Sequence, residues 1–192
     1  GLNLRFSFQT RSDSVVRRPD VVEQWVKAGL FTAFIGFEAF RQSELDAMRK
    51  SNTVRVNEEA ARILQANGVH IWGAFIVDPL WDVDDFSQLI DYVRSLQIGF
   101  PQFTVMTPLP GTEITRQLQS SGKLKKIDYD RLFYADAPYS PDGITPRELK
   151  ALQQKAFMSF YLRPHVLLGL LLRLKSFRHF KSILRRAIDY VF

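Results

Sequence analysis

Short apolar runs alternate along the chain with segments of helical periodicity. The apolar runs predict four strands, at Leu4–Phe8, Phe31–Glu38, Val69–Val77 and Gln102–Thr107. The second and third runs are apolar at nearly every position, which is typical of strands buried on both faces of a parallel sheet. Successive runs are about 30 residues apart, so each gap has room for a crossover helix.

The helical pattern is clearest between the third and fourth strands, where Asp82–Leu96 places apolar side chains along one face. Further helices are predicted from Arg18-Pro-Asp20 to about Lys27 with Gly29 as the stop, at Gln42–Arg49, at Asn57–Ala66 with Asn57 as the N-cap, and from Glu113. The alternation of strands and helices predicts an α/β fold with a parallel sheet and right-handed crossovers.

A change of pattern after Gly122 divides the chain. Residues 1–122 form the β/α part, and residues 123–144 are irregular, with aromatic side chains interleaved with charges. Thr145-Pro-Arg-Glu148 matches a capping box with proline at the first helical position, which predicts a helix to about Leu162. Residues 145–192 are therefore predicted to be a helical C-terminal tail.

The absence of cysteine restricts the chemistry that the chain can support alone. With no cysteine among 192 residues, disulfides, thiolate zinc sites and a self-supplied iron–sulfur cluster are excluded. The three histidines are scattered along the chain, so no histidine metal site is predicted. The longest apolar stretch, Val166–Leu172, is far shorter than the roughly 20 residues of a transmembrane helix. Since no segment resembles a secretory signal, we expect a cytoplasmic protein.

The net charge of +6 is concentrated near the C-terminal end. Residues 163–192 carry seven basic side chains and one acidic side chain, whereas the preceding residues balance. From Leu174 onward, apolar and basic side chains fall on different helical faces, which suits a helix lying in an anionic membrane interface. The alternative is that the apolar face packs on the protein and the charges face water. Nucleic-acid binding is disfavoured, because the apolar stripe leaves little open basic groove.

The segment Thr107-Pro-Leu-Pro-Gly-Thr112 closes the fourth strand and precedes a helix. Two prolines restrict its backbone, and Gly111 permits a tight turn or a close approach. A strand followed by a rigid turn and a helix is typical of one β/α step of a barrel, where functional loops follow the strands. The alternative is an ordinary strand–helix turn of any α/β protein.

Four motifs, taken in their order and spacing, resemble radical S-adenosylmethionine enzymes. They are Phe34-Ile-Gly-Phe-Glu38, Leu45-Asp-Ala-Met-Arg-Lys50, Gly73-Ala-Phe-Ile-Val77 with Pro79, and Thr107-Pro-Leu-Pro-Gly-Thr112. More narrowly they resemble the cobalamin-binding branch, which includes hopanoid methylases and the anaerobic ring-forming oxidases of tetrapyrroles. Within that branch, Val77-Asp-Pro79 looks most like the hopanoid methylases.

The resemblance implies a partial (β/α) barrel whose four strands match the third to sixth of six units. It also implies S-adenosylmethionine, a [4Fe–4S] cluster and cobalamin in the full-length protein, with the cluster and cobalamin held outside this chain. The partner of the chain would be the N-terminal half of the same protein, which carries the cluster cysteines in the family. The chain departs from the family pattern at Asp78, where a glycine commonly follows the fifth strand.

The resemblance assigns cofactor-binding roles to charged residues near the strand ends. Glu38 matches the polar residue that contacts the ribose or amino group of the cofactor in the family. Lys50 matches a basic residue near the cofactor carboxylate, and Arg11, just after the first strand, is a candidate for the same carboxylate. The alternatives are a capping or surface glutamate, a solvated lysine and an exposed arginine.

Further candidates follow the third and fourth strands. Phe75 and Ile76 are predicted core residues of a strand that, in the family, lends backbone and an apolar wall to adenine. Asp78 is open to a site role or to capping the next turn. Thr107 and Pro108 follow the strand that lies beside the adenine in the family. No catalytic residue and no metal ligand is assigned.

The function implied by this resemblance is that of a cobalamin-dependent radical S-adenosylmethionine methylase acting on a polycyclic lipid. In the family, the cluster cleaves the cofactor to a 5′-deoxyadenosyl radical, which abstracts hydrogen before methylcobalamin delivers a methyl group. The chain is expected to be the C-terminal part, to form part of the cofactor and substrate site, and to be inactive without the cluster-binding half. The alternative is a cluster-free domain whose basic tail binds the inner membrane surface.

Overall fold

The computed structural model describes residues 4–122, 124 and 145–164. Strands β1 (Phe6–Thr10), β2 (Leu30–Glu38), β3 (His70–Val77) and β4 (Phe100–Val105) form a parallel sheet in the order β1-β2-β3-β4. The predicted α/β class with four parallel strands is therefore confirmed. The predictions for 125–144 and for the tail beyond residue 164, including its membrane binding, lie outside the described residues.

Helices connect the strands as the alternating pattern predicts. They are α1 (Ser12–Arg17) and α2 (Pro19–Ala28) between β1 and β2, α3 (Gln42–Ala47) and α4 (Val54–Ala66) between β2 and β3, α5 (Val83–Ser95) before β4, α6 (Glu113–Ser120) after β4, and α7 (Pro146–Tyr161). None of the helices in the described ranges combines the length and hydropathy needed to cross a membrane.

Most helix ends follow from local chemistry. Gly29 has a φ of 111° and ends α2 in the left-handed conformation that the sequence predicts. The capping box before α7 is present, with the Thr145 hydroxyl accepting from the Glu148 amide and the Glu148 carboxylate accepting from the Thr145 amide.

Three predictions differ from the structure. The first strand lies two residues later than Leu4–Phe8, and α1 was not predicted because its six residues have no room for an apolar repeat. The assignment of Asn57 as an N-cap is wrong. Thr53 caps α4 by accepting from the Val56 amide at 3.1 Å, and Asn57 lies buried within the helix.

Contacts group the chain into two compact units. One unit comprises Gly1–Ile76 with Gln88–Gln102, and its core includes Phe37 stacked on Phe75, with ring centroids 5.6 Å apart. The other comprises Val77–Ser87 with Phe103–Phe192. In this second unit Gln153 of α7 donates to the Phe103 carbonyl at 2.6 Å. The division at residue 122 stays a prediction.

Gly73 allows close packing in the core of the first unit. A Cβ at this position would lie 2.6 Å from Ile98 Cδ1 and 2.9 Å from the Phe37 ring. Both neighbours are buried, Phe37 at 0% and Ile98 at 4% exposure, so neither has free space to move into. A side chain at position 73 would therefore force the core apart.

We predict that Gly73→Ala lowers the free energy of unfolding by about 1–3 kcal/mol, the usual cost of overpacking a core. Gly99→Ala is the matched control, because a Cβ there meets no heavy atom within 4 Å. Urea unfolding followed by circular dichroism measures both. A Gly73→Ala protein as stable as the Gly99→Ala protein would contradict this packing.

Candidate functional site

β2 ends at Glu38 in a left-handed backbone conformation. The φ of Glu38 is 68°, which costs about 1 kcal/mol for a residue that carries a Cβ. The pairing with β3 is irregular at this point, because Gly36 pairs with Ala74 and Glu38 with the next residue, Phe75. Phe37 is thus the extra residue of a bulge and is fully buried, whereas the Glu38 side chain keeps 17% exposure.

Lys50 forms an ion pair with Glu38. The Lys50 Nζ donates to Oε1 of Glu38 at 2.7 Å, and the two side chains are 35% and 17% exposed. Lys50 stands between two residues with left-handed backbones, Arg49 (φ 52°) and Ser51 (φ 39°). Its amide donates to the Leu45 carbonyl at 3.1 Å. The turn after α3 therefore carries an ammonium group back to the carboxyl end of β2.

Arg11 reaches the same turn from the end of β1. Its Nη2 donates to the Lys50 carbonyl at 3.4 Å and its Nε to Asp13 Oδ1 at 2.9 Å. The hydrogen bond from Arg11 lowers the pKa of the Asp13 carboxyl, against the opposing effect of burial. The structure thus brings Arg11, Glu38 and Lys50 together, as the resemblance implies. Their cofactor roles stay predictions.

The Glu38 carboxylate lies against the backbone of Gly36. A Cβ at Gly36 would be 2.4 Å from Oε1 and 3.2 Å from Cδ of Glu38. The first distance is far inside van der Waals contact, so the carboxylate occupies the space that a side chain at position 36 would need.

A buried polar cluster holds the backbone next to Glu38. We call it the Asn57 cluster; it consists of Ser12, Asn52, Asn57 and the Phe37 carbonyl. The Asn57 Nδ2 donates to that carbonyl at 2.9 Å, while its Oδ1 accepts from Ser12 Oγ at 2.5 Å and from Asn52 Nδ2 at 2.8 Å. Asn57 is 0% and Ser12 is 1% exposed. The cluster joins the start of α1, the end of β2 and the loop after α3 to helix α4.

The position of Asn57 in the sequence indicates that this side chain is buried. Asn57 falls in line with Ala60, Ala61 and Leu64 on the buried face of α4, at the spacing of an apolar stripe. A polar residue within such a stripe is buried and needs a hydrogen-bonding partner from another segment. An N-cap role for Asn57 does not require such a partner, so the N-cap prediction does not lead to the cluster.

The two candidates on β3 have opposite environments. Phe75 is fully buried, and its ring meets Tyr92 at 6.3 Å in addition to Phe37. Burial, together with the charge of Glu58, raises the pKa of Tyr92, so this phenol stays neutral. Ile76, which alternates with Phe75 along the strand, is half-buried. Of the pair, Ile76 presents the accessible side chain.

Asp78 caps the turn that follows β3. Its Oδ1 accepts from the Leu80 amide at 2.8 Å, and its carbonyl accepts from the Trp81 amide at 3.1 Å. The turn-capping alternative is therefore realised for this carboxylate. Over the described residues, no group of three or more histidine, aspartate or glutamate side chains could hold a metal ion.

The loop after β4 is tied to its own strand and helix. The Thr107 hydroxyl donates to the Val105 carbonyl at 3.1 Å, and Pro108 is buried. Gly111 has a φ of 80°, and Thr112 caps α6 while its hydroxyl donates to the Leu109 carbonyl at 2.8 Å. Gly111 adopts the left-handed conformation of a tight turn, as the sequence allows. A contact of Thr107 or Pro108 with adenine stays a prediction.

Three relatives of this chain are methyltransferases or methylases, and each is much longer than the chain. An uncharacterized methyltransferase of Pyrococcus horikoshii is 26% identical over 189 residues, which cover 98% of this chain and 40% of that protein. The bacteriochlorophyllide d C-8(2)-methyltransferase of Chlorobaculum tepidum is 27% identical over 154 residues, 78% of this chain and 34% of that protein. The hopanoid C-3 methylase of Methylococcus capsulatus is 31% identical over 136 residues, 69% of this chain and 25% of that protein. No family model matches the chain.

Solved structures of the cobalamin-dependent S-adenosylmethionine radical enzyme OxsB share the fold. The apo form has a TM-score of 0.63 at 16% identity, covering 99% of this chain and 34% of that chain. The form with aqua-cobalamin and S-adenosylmethionine bound has a TM-score of 0.60 at 15% identity. With the sequence relatives, this confirms the predicted resemblance to cobalamin-binding, hopanoid methylase-like radical S-adenosylmethionine enzymes.

We predict that Asn57→Ala destabilises the protein by about 1–3 kcal/mol, because it removes the acceptor for the buried Ser12 hydroxyl and one of the two donors to the buried Phe37 carbonyl. Asn67→Ala is the control, since the Asn67 side chain donates only within its own helix, to Ile63 at 2.9 Å. Chemical denaturation gives both values. Equal decreases in the free energy of unfolding for the two variants would show that the Asn57 cluster does not contribute more than an ordinary hydrogen bond.

Proposed function

We propose that this chain, a relative of cobalamin-dependent radical S-adenosylmethionine enzymes, forms part of the S-adenosylmethionine and substrate site of such a methyltransferase. The observation that carries the proposal is the Glu38–Lys50 pair, which stands at the carboxyl end of β2. Functional groups of β/α barrels come from this end of the strands. The full protein's activity is proposed from the relatives, since the chain spans 40% or less of the three described above.

The two charges fit an α-amino acid. S-adenosylmethionine carries an ammonium and a carboxylate on one carbon of its methionyl end, and Glu38 and Lys50 supply the opposite charge for each. In the unliganded chain these side chains neutralise each other at 2.7 Å. A bound amino acid would replace this single ion pair by two, so neither charge would lose its partner on binding. The Arg11 guanidinium, held at the same turn, adds positive charge on the carboxylate side.

An apolar side chain on β3 suits the other end of the cofactor. Ile76 is half-buried and follows the fully buried Phe75, so the strand offers backbone and an aliphatic surface to a flat ring. When bound, S-adenosylmethionine supplies the adenosyl group on which the radical chemistry of this family depends. The residues of this chain would bind and orient the cofactor.

The iron–sulfur cluster does not fit this chain. Cluster irons are held by cysteine thiolates, and the sequence contains none. We therefore propose that the cluster and cobalamin are bound by the remainder of the full-length protein, and that this chain alone does not cleave S-adenosylmethionine.

A polycyclic lipid is the proposed substrate class. The hopanoid C-3 methylase is 31% identical to this chain, and the Val77-Asp-Pro79 form that follows β3 resembles the hopanoid methylases. The tetrapyrrole methyltransferase has a lower identity, 27%, over a longer stretch of 154 residues, so it represents the competing substrate class. Methyl transfer by the full-length protein to a hopanoid, with a bacteriochlorophyllide offered in parallel, separates the two classes. Methylation of the bacteriochlorophyllide and not of the hopanoid would contradict the proposal of a lipid substrate.

We predict that the chain binds S-adenosylmethionine and that Glu38→Gln weakens binding by about 10- to 100-fold, the usual value of a charged hydrogen bond. Lys50→Met should weaken binding through the lost carboxylate contact. It should leave 5′-methylthioadenosine, which lacks the amino-acid end, unaffected. Isothermal titration calorimetry measures each dissociation constant.

Lys27→Met is the matched control for the lysine variant. Lys27 is an exposed lysine at the end of α2, next to the start of β2 and thus at the opposite end of that strand. The Lys27→Met protein should bind S-adenosylmethionine with the affinity of the unmodified chain. Equal affinity of the Lys50→Met and Lys27→Met proteins for S-adenosylmethionine would show that Lys50 does not contact the cofactor carboxylate. If Glu38→Gln weakens the binding of S-adenosylmethionine and of 5′-methylthioadenosine equally, Glu38 contacts the ribose and not the ammonium.

A further inference from the structure

We infer that Gly36 is a positioning residue, whose missing side chain sets where the Glu38 carboxylate lies and so whether Lys50 can pair with it. For ligand binding, this inference rests on the proposed function. The ion pair itself is a property of the chain and can be measured without a ligand.

The requirement for glycine at position 36 comes from space and not from backbone conformation. The three nearest heavy atoms to a Cβ built there all belong to the Glu38 carboxylate, at 2.4, 3.2 and 3.9 Å. The backbone of Gly36 is not left-handed, in contrast to Gly29, whose φ is 111°. Alanine can therefore adopt the backbone of residue 36, and its methyl group conflicts first with the side chain two residues on.

The backbone around Glu38 is held in place, so the conflict must be resolved by the side chain. The carbonyl of Phe37 accepts from the buried amide of Asn57 at 2.9 Å, and the Ala39 amide donates to the same carbonyl at 2.9 Å. Phe37 itself is fully buried. With this anchor, a methyl group at position 36 rotates the carboxylate away from its place and breaks the 2.7 Å contact with Lys50.

A positioning role and a packing role predict different stabilities. Glycine weakens a strand relative to alanine, since it loses more conformational freedom on folding. If Gly36 only positions Glu38, Gly36→Ala should fold as stably as the unmodified chain and lose the ion pair. If the glycine is needed for packing, the variant should be less stable whatever residue stands at position 38.

A double-mutant cycle on the full chain tests the inference. Urea unfolding is measured for Glu38→Gln, Lys50→Met and the double variant, first in the unmodified chain and then in the Gly36→Ala chain. In the unmodified chain we expect the two side chains to be coupled by about two- to fivefold in the unfolding equilibrium constant, as for partly exposed ion pairs. In the Gly36→Ala chain the coupling should vanish. Coupling that persists in the Gly36→Ala chain, or is absent from the unmodified chain, would overturn the inference.

Binding provides a second, separate measurement. Gly36→Ala should weaken the binding of S-adenosylmethionine by as much as Glu38→Gln does. The two changes together should weaken binding no further. Gly99→Ala, where a Cβ meets nothing within 4 Å, should bind normally. Losses that add in the double variant would contradict a shared mechanism. If the unmodified chain does not bind the cofactor, the proposed function fails, while the coupling measurement still decides the role of Gly36.

Discussion

The hydrogen bond from the buried Asn57 amide to the Phe37 carbonyl is the interaction on which the candidate site depends. It fixes the backbone at the bulge of β2, one residue before the left-handed Glu38. The Oδ1 of the same side chain accepts from the Ser12 hydroxyl and from the Asn52 side-chain amide, which completes the cluster. Because an unpaired amide is costly in the core, the cluster holds the start of α1, the end of β2 and the loop after α3 to helix α4. The strain at Glu38 is tolerated because its surroundings determine its conformation.

The fixed backbone at Phe37 determines where the charged side chains of the site lie. The bulge buries Phe37 and leaves Glu38 partly exposed, and the bare backbone of Gly36 receives the carboxylate. Lys50 arrives from the turn after α3 and neutralises it. Without a neighbouring positive charge, a carboxylate of 17% exposure would be poorly solvated, so Lys50 compensates its burial.

Much of the fold could be predicted because it rests on local pattern. Apolar runs located the strands, and Gly29 and the Thr145 capping box located helix ends. The six residues of α1 show no periodicity from which a helix could be predicted, and the N-cap of α4 is Thr53 and not the predicted Asn57. Two of the partners of Asn57, the Phe37 carbonyl and the Ser12 hydroxyl, lie 20 and 45 residues away in the sequence, so a local pattern does not predict these contacts.

The candidate site was predictable only in part. The resemblance selected Glu38, Lys50 and Arg11, which the fold does bring together. It did not reveal why Glu38 can occupy its position, since the steric role of Gly36 and the hydrogen bond from Asn57 become visible only once the bulge of β2 is known.

The most direct test of this account is a crystal structure of the chain in complex with S-adenosylhomocysteine, which retains the amino-acid end of the cofactor. The account predicts that the ligand ammonium lies within hydrogen-bonding distance of the Glu38 carboxylate and the ligand carboxylate near Lys50, with Glu38 still left-handed. A bound ligand whose amino-acid end lies elsewhere, with the Glu38–Lys50 pair intact, would contradict it.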